Sequence, residues 1–315
     1  MFSDQKHPIS FIIPAYNCQQ TLAETVNSIC DGNFMEGDEV IIVNDASSDN
    51  TLEIAKELQS KFPAIKILKH KINKGTAAAA RNTGIENAQN DLIFCLDSDN
   101  VLVSGSINLL KQYMLSTNAD AAAFGEIHFF TTVSEQIKEI VYKTVFKSGE
   151  FTLADALSTY YSIGHSGNYL FTKKSWLKAG RYFEPFLINQ TLDSWTFTIY
   201  QLGTGTKLVK LKETYYLHRR VANSHWEREI KKGNVSIAGL YAIIPFLDLI
   251  EDDDVEYILS KEGRYHWVDE LQKRPIRLKS GMKGTPSVEF IQIKKKANKK
   301  SLKGLIKRLL QRFTL

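Results

Sequence analysis

Along the first 125 residues, short apolar runs alternate with stretches whose apolar positions recur every three or four residues. Ile9-Ser10-Phe11-Ile12-Ile13 predicts a buried strand stopped by Pro14, after which Leu22, Val26 and Ile29 keep helical spacing. Glu39 to Val43 predicts a second strand. A helix then follows, capped by Ser48 or Asp49, with Leu52, Ala55 and Leu58 on its inner face. Ile65 to Leu68 predicts a third, shorter strand, Ala77 to Ala88 a helix, and Leu92 to Leu96 a fourth strand. Ile107, Leu110 and Met114 mark one more helix before the apolar run Ala121 to Phe124. This rhythm predicts an α/β fold with a mostly parallel central sheet covered by helices.

The pattern loosens from 126 to 233, where Tyr, Phe and Trp are frequent and glycines punctuate turns. That stretch reads as the second half of the same domain, completing a pocket opposite 1–125. Residues 234–290 read as a helical extension, and 291–315 as a basic amphipathic tail. The 315 residues, 43% of them apolar, suffice for a full core. The longest apolar run, Val235 to Leu247, falls short of the roughly 20 residues that span a bilayer. The start carries no secretory apolar stretch, and three scattered cysteines (Cys18, Cys30, Cys95) fit neither a disulfide framework nor a metal cluster. Both features predict a reducing cytoplasm.

Charge changes the picture at one end only. Nine Lys or Arg and no acid lie in 291–315, so a net charge of +5 leaves the first 290 residues at −4. A nucleic-acid binder carries its basic charge on the folded domain, which excludes that class. In the tail, Leu302, Leu305, Ile306, Leu309, Leu310 and Phe313 share one helix face, while Lys303, Lys307, Arg308 and Arg312 take the other. This pattern predicts that 294–315 lies on an anionic membrane surface, the alternative being a helix packed on protein. The expected location is the inner face of the membrane, as a peripheral protein.

The fourth strand ends on Leu96-Asp97-Ser98-Asp99-Asn100. Two carboxylates this close repel unless a cation lies between them, which suggests a divalent-metal seat at the sheet's carboxyl edge. An Asp-rich turn explains the same residues equally well. Two further loops fall at strand ends, Pro14-Ala15-Tyr16-Asn17 and Asn44-Asp45-Ala46-Ser47-Ser48-Asp49-Asn50-Thr51. Asp45 is placed to accept hydrogen bonds from a nucleobase, and Asp49 to cap a helix. Asn73-Lys74-Gly75-Thr76 enters a helix lined with small residues that carries Arg81 and Asn82. Its N-terminus and Arg81 suit a phosphate or carboxylate, and tight packing on the sheet accounts for the small residues too.

Taken together and in order, Pro14 to Asn17, Val43 to Thr51, Asn73-Lys74-Gly75 with Ala80-Arg81-Asn82 and Gly84, and Leu96 to Asp99 resemble glycosyltransferase family 2. The resemblance is clear over 9–100 and looser to about 226. It implies a GT-A fold, an inverting reaction, and a nucleoside-diphosphate-sugar donor, uridine-linked by family habit. It also implies that Pro14, Ala15, Tyr16, Asn17, Asp45, Gly75, Arg81, Asp97 and Ser98 line the donor site. Asp45 would hold the base, and Asp99, with Asp97 beside it, would hold Mn²⁺ or Mg²⁺. Gly167 to Phe171 and Trp176 to Glu184 are similar to the family's acceptor-side segment, and Asp193 matches its catalytic base. Leu192, Trp195 and Phe197 would desolvate that base. The chain departs from the family pattern at Leu192, where an acid precedes the base, and at Asn44 and Asn100. His218, near the end of a strand from Leu208 to Leu217, is a further candidate metal ligand; His165 and His225 are weaker ones. Trp195 and Trp226 suit either sugar stacking or the core.

Other α/β enzyme classes fit less well. Haloacid-type phosphatases carry Asp-x-Asp after their first strand, nucleotidyltransferases a Gly-rich basic loop there, and dinucleotide oxidoreductases a Gly-x-Gly-x-x-Gly turn, all absent here. The remaining rival is a sugar- or nucleotide-binding relative without catalysis, suggested by Leu192. The tail and the family together point to a glycan or lipid-linked acceptor in cell-surface glycan synthesis.

Overall fold

The computed structural model describes residues 7–134, 137–158, 167–184, 192–220, 235–271, 273–282 and 288–292. The alternation seen in the sequence is realised in β1 (Ile9–Ala15), α1 (Leu22–Cys30), β2 (Glu39–Asn44), α2 (Thr51–Lys61), β3 (Ile65–Lys69), α3 (Ala77–Glu86) and β4 (Leu92–Cys95). These strands pair in parallel in the order β3-β2-β1-β4. Side chains alternate across β1. Ile9, Phe11, Ile13 and Ala15 join a core with Leu22, Val26 and Ile29 of α1, and Ile12 joins the opposite one with Ala78, Ala80 and Ile85 of α3. Both faces are covered, as a parallel sheet requires.

Pro14 does not stop β1. The Ile12 carbonyl accepts from Leu96 N on the β4 side, and the Ala15 carbonyl from Asp45 N on the β2 side. Pro14 shares the parity of Ile12, so its missing N–H falls on the β4 side, where pairing has ended.

The stretch after 125 is more regular than its composition suggested. β5 (Val101–Leu102) and α4 (Ser106–Ser116) precede it, β6 (Ala121–Ser134) leads into it, and β7 (Ile137–Phe146) follows. β8 (Gly149–Phe151), α5 (Leu153–Ala156), β9 (Leu170–Thr172), α6 (Lys173–Lys178), α7 (Asp193–Gly203) and β10 (Leu208–Arg219) complete it. β6 runs unbroken across position 125, and its pairing with β9, which pairs with β4, puts both halves in one mixed sheet. The aromatics that loosened the sequence pattern are cross-strand pairs, such as Phe129 and Tyr142 stacked with ring centroids 4.3 Å apart. The helical extension is present as α8 (Val235–Ile243), a 3₁₀ turn (Ile244–Leu249), α9 (Asp252–Leu259) and α10 (Gly263–Glu270). It seals one core, with Trp267 against Trp195 of α7 at 5.9 Å. No sequence pattern announced β11 (Val288–Gln292), which pairs antiparallel with β7 at the sheet's edge. Among the described residues, no helix is long and apolar enough to cross a membrane.

Helix α3 sits unusually close to the sheet. A Cβ on Gly84 would lie 2.4 Å from Ile12 Cγ2 and 3.3 Å from Val43 Cγ2. Gly84→Ala is therefore expected to destabilise the fold by about 1–3 kcal/mol through overpacking. Urea titration with an unchanged m-value and a lowered midpoint checks it.

Candidate active site

The loops that follow β1, β2, β3 and β4 meet at the carboxyl edge of the parallel strands. Asn17 stitches the first two together: its N–H donates to Ser47 Oγ at 3.1 Å, and its Oδ1 accepts from Ser48 N at 2.9 Å. Asn17 (φ 48°) and Ala46 (φ 56°) both adopt the left-handed region, at a cost of about 1–2 kcal/mol for a residue with a Cβ. Pro14 and Ala15 are buried at the end of β1, and Tyr16 beyond them is 52% exposed. The N-cap of α2 is Asn50 rather than Ser48 or Asp49; Asp49, one residue earlier, accepts from Thr51 N at 3.0 Å.

Asp45 is buried and firmly held. Its Oδ1 accepts from His70 Nδ1 at 2.5 Å and from Lys74 N at 3.1 Å. Its Oδ2 accepts from Asn73 Nδ2 at 3.0 Å and from Lys74 N at 3.1 Å. A carboxylate only accepts, so Nδ1 of His70 carries the proton, and Nε2 meets Thr83 Oγ1 at 2.9 Å. Much of the lone-pair capacity expected to meet a nucleobase is thus engaged by the segment after β3. Gly75, next in that segment, takes a positive φ of 74° that a side chain would resist. Its N–H donates to Asn73 Oδ1 at 2.7 Å. His70 carried no signal in the sequence.

The acidic pair lies at the end of β4 in a loop pinned from several sides. Thr21 Oγ1 donates to the Ser98 carbonyl at 2.8 Å, and Thr25 Oγ1 to the Asn100 carbonyl at 2.9 Å. Arg219 Nε donates to the Asp99 carbonyl, and Asp97 N to Asn168 Oδ1. Burial and the neighbouring Asp97 carboxylate push the Asp99 carboxyl up to about 7, with Arg219 pulling the other way. Asp97 is compensated instead by Arg81, whose Nη2 donates to Asp97 Oδ1 at 2.7 Å.

Arg81 also reaches Asp193. Its Nη1 donates to Asp193 Oδ2 at 2.7 Å, while Asp193 Oδ1 accepts from Ser194 N at 2.7 Å at the start of α7. Burial opposes the Arg81 charge, but Asp193 and Asp97 outweigh it and hold the guanidinium protonated. The cation expected to meet a ligand anion is thus bonded to two of the protein's own carboxylates. Leu192, Trp195 and Phe197 belong to the buried core, and Phe197 stacks at 4.0 Å on Tyr182, the ring against which Arg81 packs.

The family model for glycosyl transferase family 2 matches residues 10–177, more than half of the chain. The chain belongs to that family. The poly-β-1,6-N-acetyl-D-glucosamine synthase of Staphylococcus epidermidis is 29% identical over 202 residues, 62% of this chain and 47% of the relative. The S. aureus TarS fragment in complex with UDP-GlcNAc superposes with a TM-score of 0.59 at 20% identity, over 84% of this chain and 70% of that one. The mannosyltransferase PcManGT from Pyrobaculum calidifontis, in complex with GDP-Man and Mn²⁺, gives 0.57 at 13%, over 84% and 72%. Both structural likenesses show the GT-A fold. The chain spans 36%, 47% and 61% of the lengths of three curated relatives it matches.

Among the described residues, no three His, Cys, Asp or Glu side chains gather around one point as a metal cluster. His218 is set apart from the acidic pair by Asn100: its Nδ1 lies 3.4 Å from Asn100 Nδ2, which also lies 3.4 Å from Asp97 Oδ2. Its ring packs on Phe129 at 4.8 Å. Asp97 and Asp99 alone still fit a cation that draws its other ligands from water and substrate phosphates, as Mg²⁺ does. Two residues that lie in the motifs but were given no role there complete the setting, Asn168 against Asp97 and Asn82 against Tyr182 and Trp176. His165, His225, Trp226 and the tail 294–315 lie outside the described residues.

The raised Asp99 carboxyl makes a prediction. Unfolding returns it to its ordinary 3.8, so stability is lost as pH rises from about 4 to 7. Asp99→Asn is expected to raise the melting temperature by a few degrees in metal-free buffer near pH 8. Near pH 4 the two proteins should melt together. Thermal melts at the two pH values check the difference.

Proposed function

We propose that this protein is an inverting glycosyltransferase that moves a sugar from a uridine-diphosphate donor to an acceptor hydroxyl on a cell-surface glycan or lipid-linked carbohydrate. One observation carries the reading: Asp97, the first acid closing β4, and Asp193, the acid opening α7, converge on a single buried arginine. A donor-side acid and a base candidate thereby share one site, which is what transfer between two substrates needs. The nucleotide sugars bound by TarS and PcManGT support the donor class, and the product of the S. epidermidis synthase supports the acceptor class.

In this mechanism the 14–17 and 45–51 loops and Gly75 receive the nucleotide, with Asp45 at the base. Asp97 and Asp99 would hold Mn²⁺ or Mg²⁺, which supplies Lewis-acid relief of charge on the departing diphosphate. Asp193 accepts the proton of the acceptor hydroxyl as that oxygen attacks the anomeric carbon from the face opposite the leaving group. Attack from that face inverts the configuration. Ser194 N and Arg81 fix the Asp193 carboxylate in place for that transfer. The tail 294–315 would rest on an anionic bilayer, bringing the site to a lipid-borne acceptor.

A panel of uridine, guanosine and thymidine diphosphate sugars, scored by nucleotide release with and without Mn²⁺, tests the proposal. Release from a uridine sugar is expected to need the metal, and Asp193→Asn to lower it by about 10²–10⁴-fold with nucleotide binding retained. Release indifferent to Asp193→Asn removes the base assignment. A panel in which every nucleotide binds and none is turned over favours the non-catalytic relative.

A further inference from the structure

We propose that Arg81 is a positioning residue that couples the cation seat to the base, setting both the alignment of Asp193 and the pull of the acidic pair on a cation. The inference rests on the roles proposed above for Asp97, Asp99 and Asp193. Arg81 stands on α3 and is only 2% exposed. Its two terminal nitrogens, fixed in one plane, reach Asp97 Oδ1 and Asp193 Oδ2 at 2.7 Å each. A planar fork sets the relation between two carboxylates in a way that a flexible ammonium does not. The Tyr182 ring packs against the guanidinium with its centroid 5.3 Å from Cζ.

The next residue anchors the same helix to the other half of the site. Asn82 Nδ2 donates to the Tyr182 carbonyl at 2.9 Å, and its Oδ1 accepts from Tyr182 N at 3.0 Å and Trp176 Nε1 at 3.1 Å. Two adjacent side chains therefore tie the donor-side loop, α7 and the segment before it to a single turn of α3.

The electrostatic consequence has a definite sign. The Arg81 charge in contact with Asp97 opposes a cation arriving at the acidic pair, and Asp193 offsets part of that opposition. Neutralising Arg81 should strengthen cation binding while it releases the base from alignment. Neutralising Asp193 should weaken cation binding. A merely structural arginine does not predict the tightening, since disturbing the fold loosens a metal seat.

The test is Mn²⁺ binding in the presence of uridine diphosphate, read by water-proton relaxation at about pH 8, where free carboxyls are ionised. Wild type, Arg81→Met, Arg81→Lys and Asp193→Asn are compared, together with the steady-state kinetics of the two arginine variants. Arg81→Met is expected to bind Mn²⁺ about tenfold more tightly and to lose about 10²-fold or more in kcat. Arg81→Lys keeps the charge, so its Mn²⁺ affinity should stay within about twofold of wild type. Its kcat should fall with KM little changed. Asp193→Asn is expected to bind Mn²⁺ several-fold more weakly. If Arg81→Met does not fold, the lysine variant and Asp193→Asn decide. Wild-type kcat in Arg81→Lys, or Mn²⁺ affinity unmoved by Asp193→Asn, overturns the proposal. Wild-type binding of Mn²⁺ that Arg81→Met leaves unchanged overturns the coupling alone. A wild-type protein that binds no Mn²⁺ removes the cation seat, and the coupling with it.

Discussion

The Arg81 guanidinium, bonded on one side to Asp97 and on the other to Asp193, is the contact on which the candidate site depends. Withdrawing such charges from water costs several kcal/mol per ion, and only close, well-aligned partners offset it. Both contacts here are 2.7 Å, and Asp193 gains a second donor from Ser194 N. Apolar residues of the same volume would stabilise a core as well or better. A fold that keeps this triad at the carboxyl edge of its parallel strands gains little stability from it. What it gains is two acids, 96 positions apart in the chain, held in one geometry.

The remaining contacts hold that geometry steady. Threonines on α1 fasten the backbone of the acidic loop, Asn168 at the head of β9 fastens Asp97, and Arg219 at the end of β10 fastens the Asp99 carbonyl. Antiparallel pairing of β9 with β4 is what delivers Asn168 there, since the start of one lies beside the end of the other. The site is thus supported by the mixed half of the sheet as much as by the parallel half. Preorganisation of this sort fixes acids and dipoles before a ligand arrives and avoids reorganisation during reaction.

Much of this was legible in the sequence where the signal was local. Strand–helix alternation over the first 125 residues, the acidic doublet and the turn residues after β1 and β2 all follow from short-range patterning. What was not legible depends on distant pairing. Arg81 read as a receptor for a ligand anion, and the residue type was right, but its anions are carboxylates of the chain itself, one of them 112 positions away. His70 gave no signal because its role exists only once β3 sets it beside Asp45. The long strands β6 and β7 were hidden because their pairing shifts register between Phe129 and Phe130 and between Thr132 and Ser134, which interrupts the alternation that marks a strand. Pro14 misled for a simpler reason: a proline ends a strand only where its missing N–H has a partner to lose.

The two acids of the doublet are not equivalent, and the difference bears on how the site would take a cation. Asp97 bonds the Arg81 guanidinium at 2.7 Å. Arg219, the cation nearest Asp99, instead directs its donors to Glu24, to Thr132 and to the Asp99 carbonyl. The Asp99 carboxylate is left with burial and a like charge beside it, and its proton affinity rises accordingly. Folding therefore builds in a cost that ionised Asp99 must meet and that neither arginine removes. A divalent ion held by this pair, as proposed above, would relieve that cost directly. In that proposal Asp97 would mainly fix the seat through Arg81, and Asp99 would supply the attraction.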